Sequence, residues 1–204
     1  EKIDLENINN ICVIGDGQSN FAAIALESQK FKKVLSINLP EVLLNDFNLI
    51  KKMGFPLNKV ALLETKNQVH NYLINENIKF GMIEANNANI LTEEKIDLFV
   101  NIASFGEMNL DIVNNYFKII KSSIHGTYLY SCNREKKELP DGTITQEKDY
   151  PWEGFTKKIL DEKAPWHSSY YKLRRGLIPI PKIKIPFDGP IIHKLLFYPS
   201  VKNK

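Results

Sequence analysis

Ten consecutive residues, Val13-Ile14-Gly15-Asp16-Gly17-Gln18-Ser19-Asn20-Phe21-Ala22, carry the densest chemical signal in this sequence. An apolar run feeds a turn, Gly15-Asp16-Gly17, and then a helical pattern. The two glycines allow backbone angles closed to other residues, so the chain can approach a ligand closely. Ser19 is a suitable N-cap, and the amides that open the helix can face a carboxylate or phosphate oxygen. An ordinary tight turn with no ligand is the plain alternative. The second signal is Asn38, after the next strand. A nicotinamide dinucleotide fingerprint wants a third glycine at position 20 and an acid after the second strand, whereas the sequence supplies Asn20 and Asn38. An adenosine cofactor without a pyrophosphate asks less of that third position. The Asn38 amide can bond ribose hydroxyls, or it can simply cap the loop before Pro40.

These residues need elements to position them, and the first 130 or so residues alternate short apolar runs with amphipathic segments. Residues 11–15, 34–37, 60–63, 80–84, 97–103 and 127–132 read as strands, the first and fifth as central ones. Helical spacing covers 19–29, with Phe21, Ala22, Ala23, Ile24 and Ala25 toward the interior. It recurs over 42–53, stopped by Gly54, and over 69–75 and 110–120. Alternation of this kind forces a mainly parallel, doubly wound α/β sheet of Rossmann-like type. Its ligands sit beyond the carboxyl ends of the strands, here just after residues 15, 37, 84 and 103. Residues 133–150 are charged around the turn Pro140-Asp141-Gly142. The proline-rich 176–190 reads as an extended excursion, and 193–198 as a last, antiparallel strand. The expected organisation is a cofactor-binding core over 1–135, followed by an extension over 136–204 that completes the sheet and can form a lid over substrate.

The order VIGDGQSNFA, INLPEVLLNDFNLIKKMG, DLFVNIASFGEMN and then a strand plus hairpin resembles the bacterial sugar O-methyltransferases. These belong to the class I S-adenosylmethionine-dependent superfamily. The resemblance spans roughly residues 10 to 135, and LPE and SFGEM are its most specific parts. The sequence departs from the family in a turn poorer in glycine and in Asn38, where an acid is usual. The resemblance implies S-adenosyl-L-methionine as cofactor, lying across Gly15, Asp16 and Gly17 with its ribose near Asn38 and Leu39. Adenine falls near Glu84, Ala85 and Asn86, and the segment from Ala103 and Ser104 to Asn109 faces the transferring methyl group. Transfer to a sugar hydroxyl needs a base. Glu107 is placed for that role by topology, or else serves as an acid at a helix N-terminus. His167, among Trp166, Tyr170 and Tyr171, is the second candidate, with aromatic faces suited to a sugar ring; a tail packed on the domain is its plain reading. His70, His125 and His193 read as structural.

Composition narrows the classes further. A net charge of +3 with scattered basic residues gives no nucleic-acid footprint. The densest basic spots, Lys172, Arg174 and Arg175 with Lys202 and Lys204, read as solvated surface. Cys12 and Cys132 form no CxxC pair and read as reduced buried thiols of a cytoplasmic protein. No metal-ligand spacing occurs. No apolar stretch reaches the roughly 18 residues of a membrane span, and no signal peptide is visible. A start at Glu1, with a strand almost at once, reads as a trimmed N-terminus. Expected partners are therefore a small-molecule or glycan substrate, with no nucleic acid and no membrane span. Two rivals stay open: a degenerate methyltransferase-like binding or scaffold domain, and a nicotinamide-dependent oxidoreductase.

Overall fold

Strand β1 (Asn10–Ile14) is buried at all five positions, as an apolar run in mid-sheet must be. The structure, a computed structural model, describes residues 7–17, 19–165, 169–172, 183–186 and 189–200. After β1 come α1 (Asn20–Glu27), β2 (Lys33–Asn38), α2 (Pro40–Lys52), β3 (Val60–Leu62) and α3 (Lys66–Ile74). These are followed by β4 (Phe80–Glu84), β5 (Leu98–Ile102), α4 (Leu110–Lys121) and β6 (Thr127–Arg134). The remainder contains β7 (Lys136–Glu138), β8 (Ile144–Gln146), β9 (Lys157–Lys163), β10 (Ser169–Lys172), β11 (Ile183–Pro186) and β12 (Ile191–Tyr198).

Eight strands form one sheet in the order β3-β4-β2-β1-β5-β6-β12-β9. The first six pair in parallel, and β12 runs antiparallel to both β6 and β9. This is the doubly wound, mainly parallel sheet with an antiparallel C-terminal strand that the alternation predicts. Successive side chains of β1 point to opposite faces. Ile11 and Val13 join a core with Ala22, Ala25, Leu43 and Ile50 of α1 and α2. Cys12 and Ile14 join the other core with Val69 and Tyr72 of α3 and Val113 and Phe117 of α4. The chain leaves β1 for β2 on one side and returns to β5 on the other. That reversal opens a crevice at the carboxyl end of β1.

Several local expectations need correction. Ser19 does not cap α1: its φ is 49° and its side chain makes no capping bond. Ile24 is not an inner residue. It is 69% exposed, because a helix turns about 100° per residue and position 24 lies far round from Ala22. Helix α3 begins at Lys66, earlier than its apolar pattern suggests. A capping box is the cause: Thr65 accepts from the Gln68 amide while the Gln68 side chain accepts from the Thr65 amide. The charged 133–150 stretch holds the hairpin β7–β8. Strand β9, KKILDEK, went unrecognised because its charges suit a sheet edge, where they discourage pairing with another chain. Both cysteines are buried and free, as expected; burial pushes the Cys12 thiol far up, which keeps it unreactive. Among the described residues no helix is long and apolar enough to cross a membrane.

Candidate functional site

At the end of β1 the ladder continues one residue further, with the Gly15 amide donating to the Ile37 carbonyl at 2.8 Å. Gly15 and Gly17 both lie in the left-handed region, at φ 69° and 70°. Their reasons differ. A Cβ on Gly15 would stand 2.4 Å from Ser104 Oγ, so this glycine lets the ends of β1 and β5 approach each other. A Cβ on Gly17 would meet nothing within 4 Å, so its backbone faces open space. Asp16 turns away from that space. Its two carboxylate oxygens accept from the amides of Phe21 at 3.0 Å and Ala22 at 2.8 Å. Asp16 is thus the cap of α1, and those amides are not left free for a ligand anion as the sequence suggested.

At the end of β2, Asn38 is nearly fully buried. Its amide nitrogen donates to Asp46 Oδ2 at 2.6 Å and to Ser36 Oγ at 3.3 Å. Asp46 reaches in from α2 and is itself wholly inaccessible. Burial pushes its carboxyl above the usual range, while bonds from Asn38, Ser19 and Ser36 draw it back and the charge of Asp16 adds to the rise.

At the end of β5, Ala103 takes a φ of 59°, and the turn is held by side chains. Asn101 Nδ2 donates to the Ile14 carbonyl and to Ser104 Oγ. Ser104 Oγ donates to the same carbonyl at 2.9 Å. Asn101 Oδ1 accepts from the Phe105 amide at 3.1 Å and from Asn133 Nδ2 at 2.8 Å. Phe105 then anchors the segment in an aromatic cluster with Tyr116, Phe117 and Tyr150. The next loop carries Glu107, paired with Lys137 of β7. The hairpin is tied to that loop by Thr145 Oγ1, which donates to the Gly106 carbonyl at 3.0 Å. Burial pushes the Lys137 ammonium below its usual range.

These three strand ends enclose a cavity of about 780 Å³, within the roughly 300–1,000 Å³ of small-molecule sites. Of the residues singled out in the sequence, Gly15, Gly17, Asn38, Leu39, Ala85, Asn86, Ala103, Ser104 and Glu107 line it together. Asp16 does not, being spent on α1. Nor does Glu84, which lines a neighbouring groove beside Pro40 and Leu44 and accepts from Asn86 Nδ2 at 3.0 Å. His167 lies outside the described residues. Met108 and Asn109 of the expected Ala103–Asn109 segment line the cavity too, but the sequence reading missed the wall supplied by α4: Asp111, Ile112, Asn115 and Tyr116. Ile112 is 48% exposed while Val113 of the same turn is fully buried, so the first turns of α4 give one face to the core and another to the cavity. Burial pushes the Tyr116 phenol up to about 12, so at neutral pH it can donate a hydrogen bond but cannot serve as a base. The charged residues lining the cavity are Glu107 and Asp111; no lysine, arginine or histidine lines it among the described residues. No group of three or more potential metal ligands occurs among the described residues.

No protein family model matches the sequence, and no curated protein does. Solved structures match it over nearly its whole length at low identity. One, described by the conversion of a disulfide bond into a thioacetal group during echinomycin biosynthesis, has a TM-score of 0.55 at 10% identity, covering 95% of this chain and 77% of that one. The mitomycin 7-O-methyltransferase MmcR has a TM-score of 0.53 at 11% identity; 95% of this chain is covered, but it spans only 50% of that protein. The methyltransferase domain of bacterial CtHen1-CN has a TM-score of 0.50 at 10% identity, covering 93% and 90% of the two chains. The fold is therefore the Rossmann-like α/β fold of methyltransferases.

Proposed function

We propose that this chain is an S-adenosylmethionine-dependent O-methyltransferase acting on a hydroxyl of a sugar or glycan precursor in the cytoplasm. The observation that carries this reading is the cavity at the ends of β1, β2 and β5, opened by Gly17 and lined by Glu107 and Asp111, with no lysine, arginine or histidine among the described lining residues. S-adenosylmethionine bears a sulfonium and an ammonium, both favoured by a negative lining. A dinucleotide would bring a pyrophosphate, and the α1 amides of Phe21 and Ala22 that would face it are taken by Asp16. The residues present fit the cofactor: Gly17 leaves room for a close approach, Asn38 and Leu39 would hold the ribose, and Ala85 and Asn86 would flank the adenine, all of them lining one cavity.

When bound, the cofactor supplies an electrophilic methyl carbon. The protein then has to orient a hydroxyl and take its proton. Glu107 stands at the cavity wall, ion-paired with Lys137, and is the carboxylate placed to accept that proton. Asn109, Asp111 and Asn115 offer donors and acceptors of the kind that sugar hydroxyls use. His167 is kept as the second candidate base. The family resemblance of VIGDGQSNFA and SFGEM supports the sugar assignment, and the 7-O-methyltransferase neighbour is in keeping with transfer to oxygen.

Isothermal titration with S-adenosylmethionine and S-adenosylhomocysteine, with NAD and NADP as controls, tests the cofactor. Micromolar binding of the first pair alone is expected. A screen of sugar acceptors then tests turnover. Glu107→Gln is expected to lower kcat by roughly 10²–10⁴ while leaving cofactor affinity unchanged; an unaltered kcat moves the base to His167. A binding module is the second reading, favoured by Asp16 occupying the α1 amides. Failure to bind either S-adenosylmethionine or S-adenosylhomocysteine would support it.

A further inference from the structure

The Asn38 amide group has two N–H donors and one carbonyl acceptor. Both donors are engaged below the cavity floor, one by Asp46 at 2.6 Å and one by Ser36 at 3.3 Å. Asp46 is inaccessible to solvent and Asn38 nearly so, yet Asn38 lines the cavity. Turning the amide over would set its carbonyl oxygen against the Asp46 carboxylate, two acceptors with no proton between them. The buried carboxylate therefore locks the amide one way up and leaves the carbonyl oxygen as the end available to a ligand. A carboxylate at position 38 would likewise offer acceptors only.

We propose that Asp46 is a positioning residue that orients Asn38 into an acceptor for the vicinal hydroxyls of the cofactor ribose. The inference rests on the adenosine-cofactor reading above. It assigns to α2 a part in the site that no residue of α2 shows from spacing alone, since Asp46 sits on the buried face of the helix. The pair Asn38–Asp46 does the work of one exposed acid, with the negative charge set one residue deeper. The structure holds that charge with a hydroxyl on the strand, Ser36 Oγ, which donates to Asp46 Oδ2 at 3.4 Å.

The test compares S-adenosylhomocysteine with its 2′,3′-dideoxyribose analogue by titration at mildly alkaline pH, which favours the carboxylate form of Asp46. The wild-type chain is expected to prefer the ribose form by roughly 10- to 100-fold, the value of one or two hydrogen bonds in a dry site. Asp46→Leu frees the Asn38 amide to rotate. It should bring the preference to within about threefold by weakening the ribose form alone. A general disturbance of the fold would instead weaken both ligands together, and that result, or an unchanged preference, overturns the proposal. The exchange Asn38→Asp with Asp46→Asn keeps a donor facing an acceptor across the pair and should restore the preference. Asn38→Asp alone, which sets two carboxylates together, should not. If Asp46→Leu fails to fold, loss of the preference in the exchanged pair overturns the proposal by itself. Failure of the wild-type chain to bind either ligand is a different result, which removes the cofactor reading and this inference with it.

Discussion

On one side of the cavity, at the ends of β1 and β2, the wall is made by backbone: two glycines in the left-handed region and a helix start closed by Asp16. On the other side, at the ends of β5 and β6, it is made by side chains, with Asn101 joining Ile14, Ser104, Phe105 and Asn133. A backbone wall depends on positions where no other residue fits. A side-chain wall spreads the same task over several bonds, each worth about 1 kcal/mol. The two sides meet where Asn101 and Ser104 donate to the Ile14 carbonyl and where Gly15 lies against Ser104.

The sharpest way to break this comparison is at that contact. Gly15→Ala combines a left-handed φ with a Cβ 2.4 Å from Ser104 Oγ, and should cost about 3 kcal/mol or more in urea unfolding. Ser104→Gly in the same chain should recover part of the loss. An equal loss in both backgrounds would mean the two sides are not coupled there. Asn101→Ala comes next, at about 2–3 kcal/mol, because it strands the Phe105 amide and removes one of the two bonds of the buried Asn133 amide nitrogen. Its thermal midpoint should fall together with cofactor affinity, since the turn at Ala103 loses its support.

Gly17→Arg separates stability from binding. Its side chain enters open space, so only the left-handed backbone is penalised, by about 1–2 kcal/mol. Titration should nevertheless find cofactor binding abolished. The smallest effect concerns Asp46. Its folded-state pKa is raised above the ordinary 3.8 by burial, so above that folded value the ionised form weakens the fold; the penalty fades as pH falls through the folded value and is gone below 3.8. Asp46→Asn should therefore raise the melting temperature at neutral pH, with a gain that disappears on acidification. Melting curves across pH that show a loss, or a gain independent of pH, would contradict this.

The sheet was largely readable because its signals are local. Apolar runs such as ICVI at β1 and FGMIE at β4 declare buried strands, and the alternation with helices leaves few ways to connect them. The glycine turn was legible for the same reason, within a few residues. The ligand wall was only half legible. Asn38, Leu39, Ala103 and Ser104 follow strands and could be placed by topology, whereas Asp111, Asn115 and Tyr116 stand on a helix whose pitch over the strand ends is fixed by packing. Strand β9 was hidden because an edge strand is selected for charge and not for apolar pattern.

What the sequence determined by itself is the order of elements, the parallel sheet and the place where its ends gather, since period and turn chemistry act over a few residues. What tertiary structure alone decided is how each polar group there is used. Asp16 could have faced a ligand but caps α1; Asn38 could have pointed either way but is held by Asp46. Glu107 could have stood alone but is paired with Lys137, 30 residues away, and Asn101 meets Asn133 across 32. A hydrogen bond needs its partner within about 3 Å and in line, and distances of that kind between remote residues exist only once the sheet has brought its strand ends together.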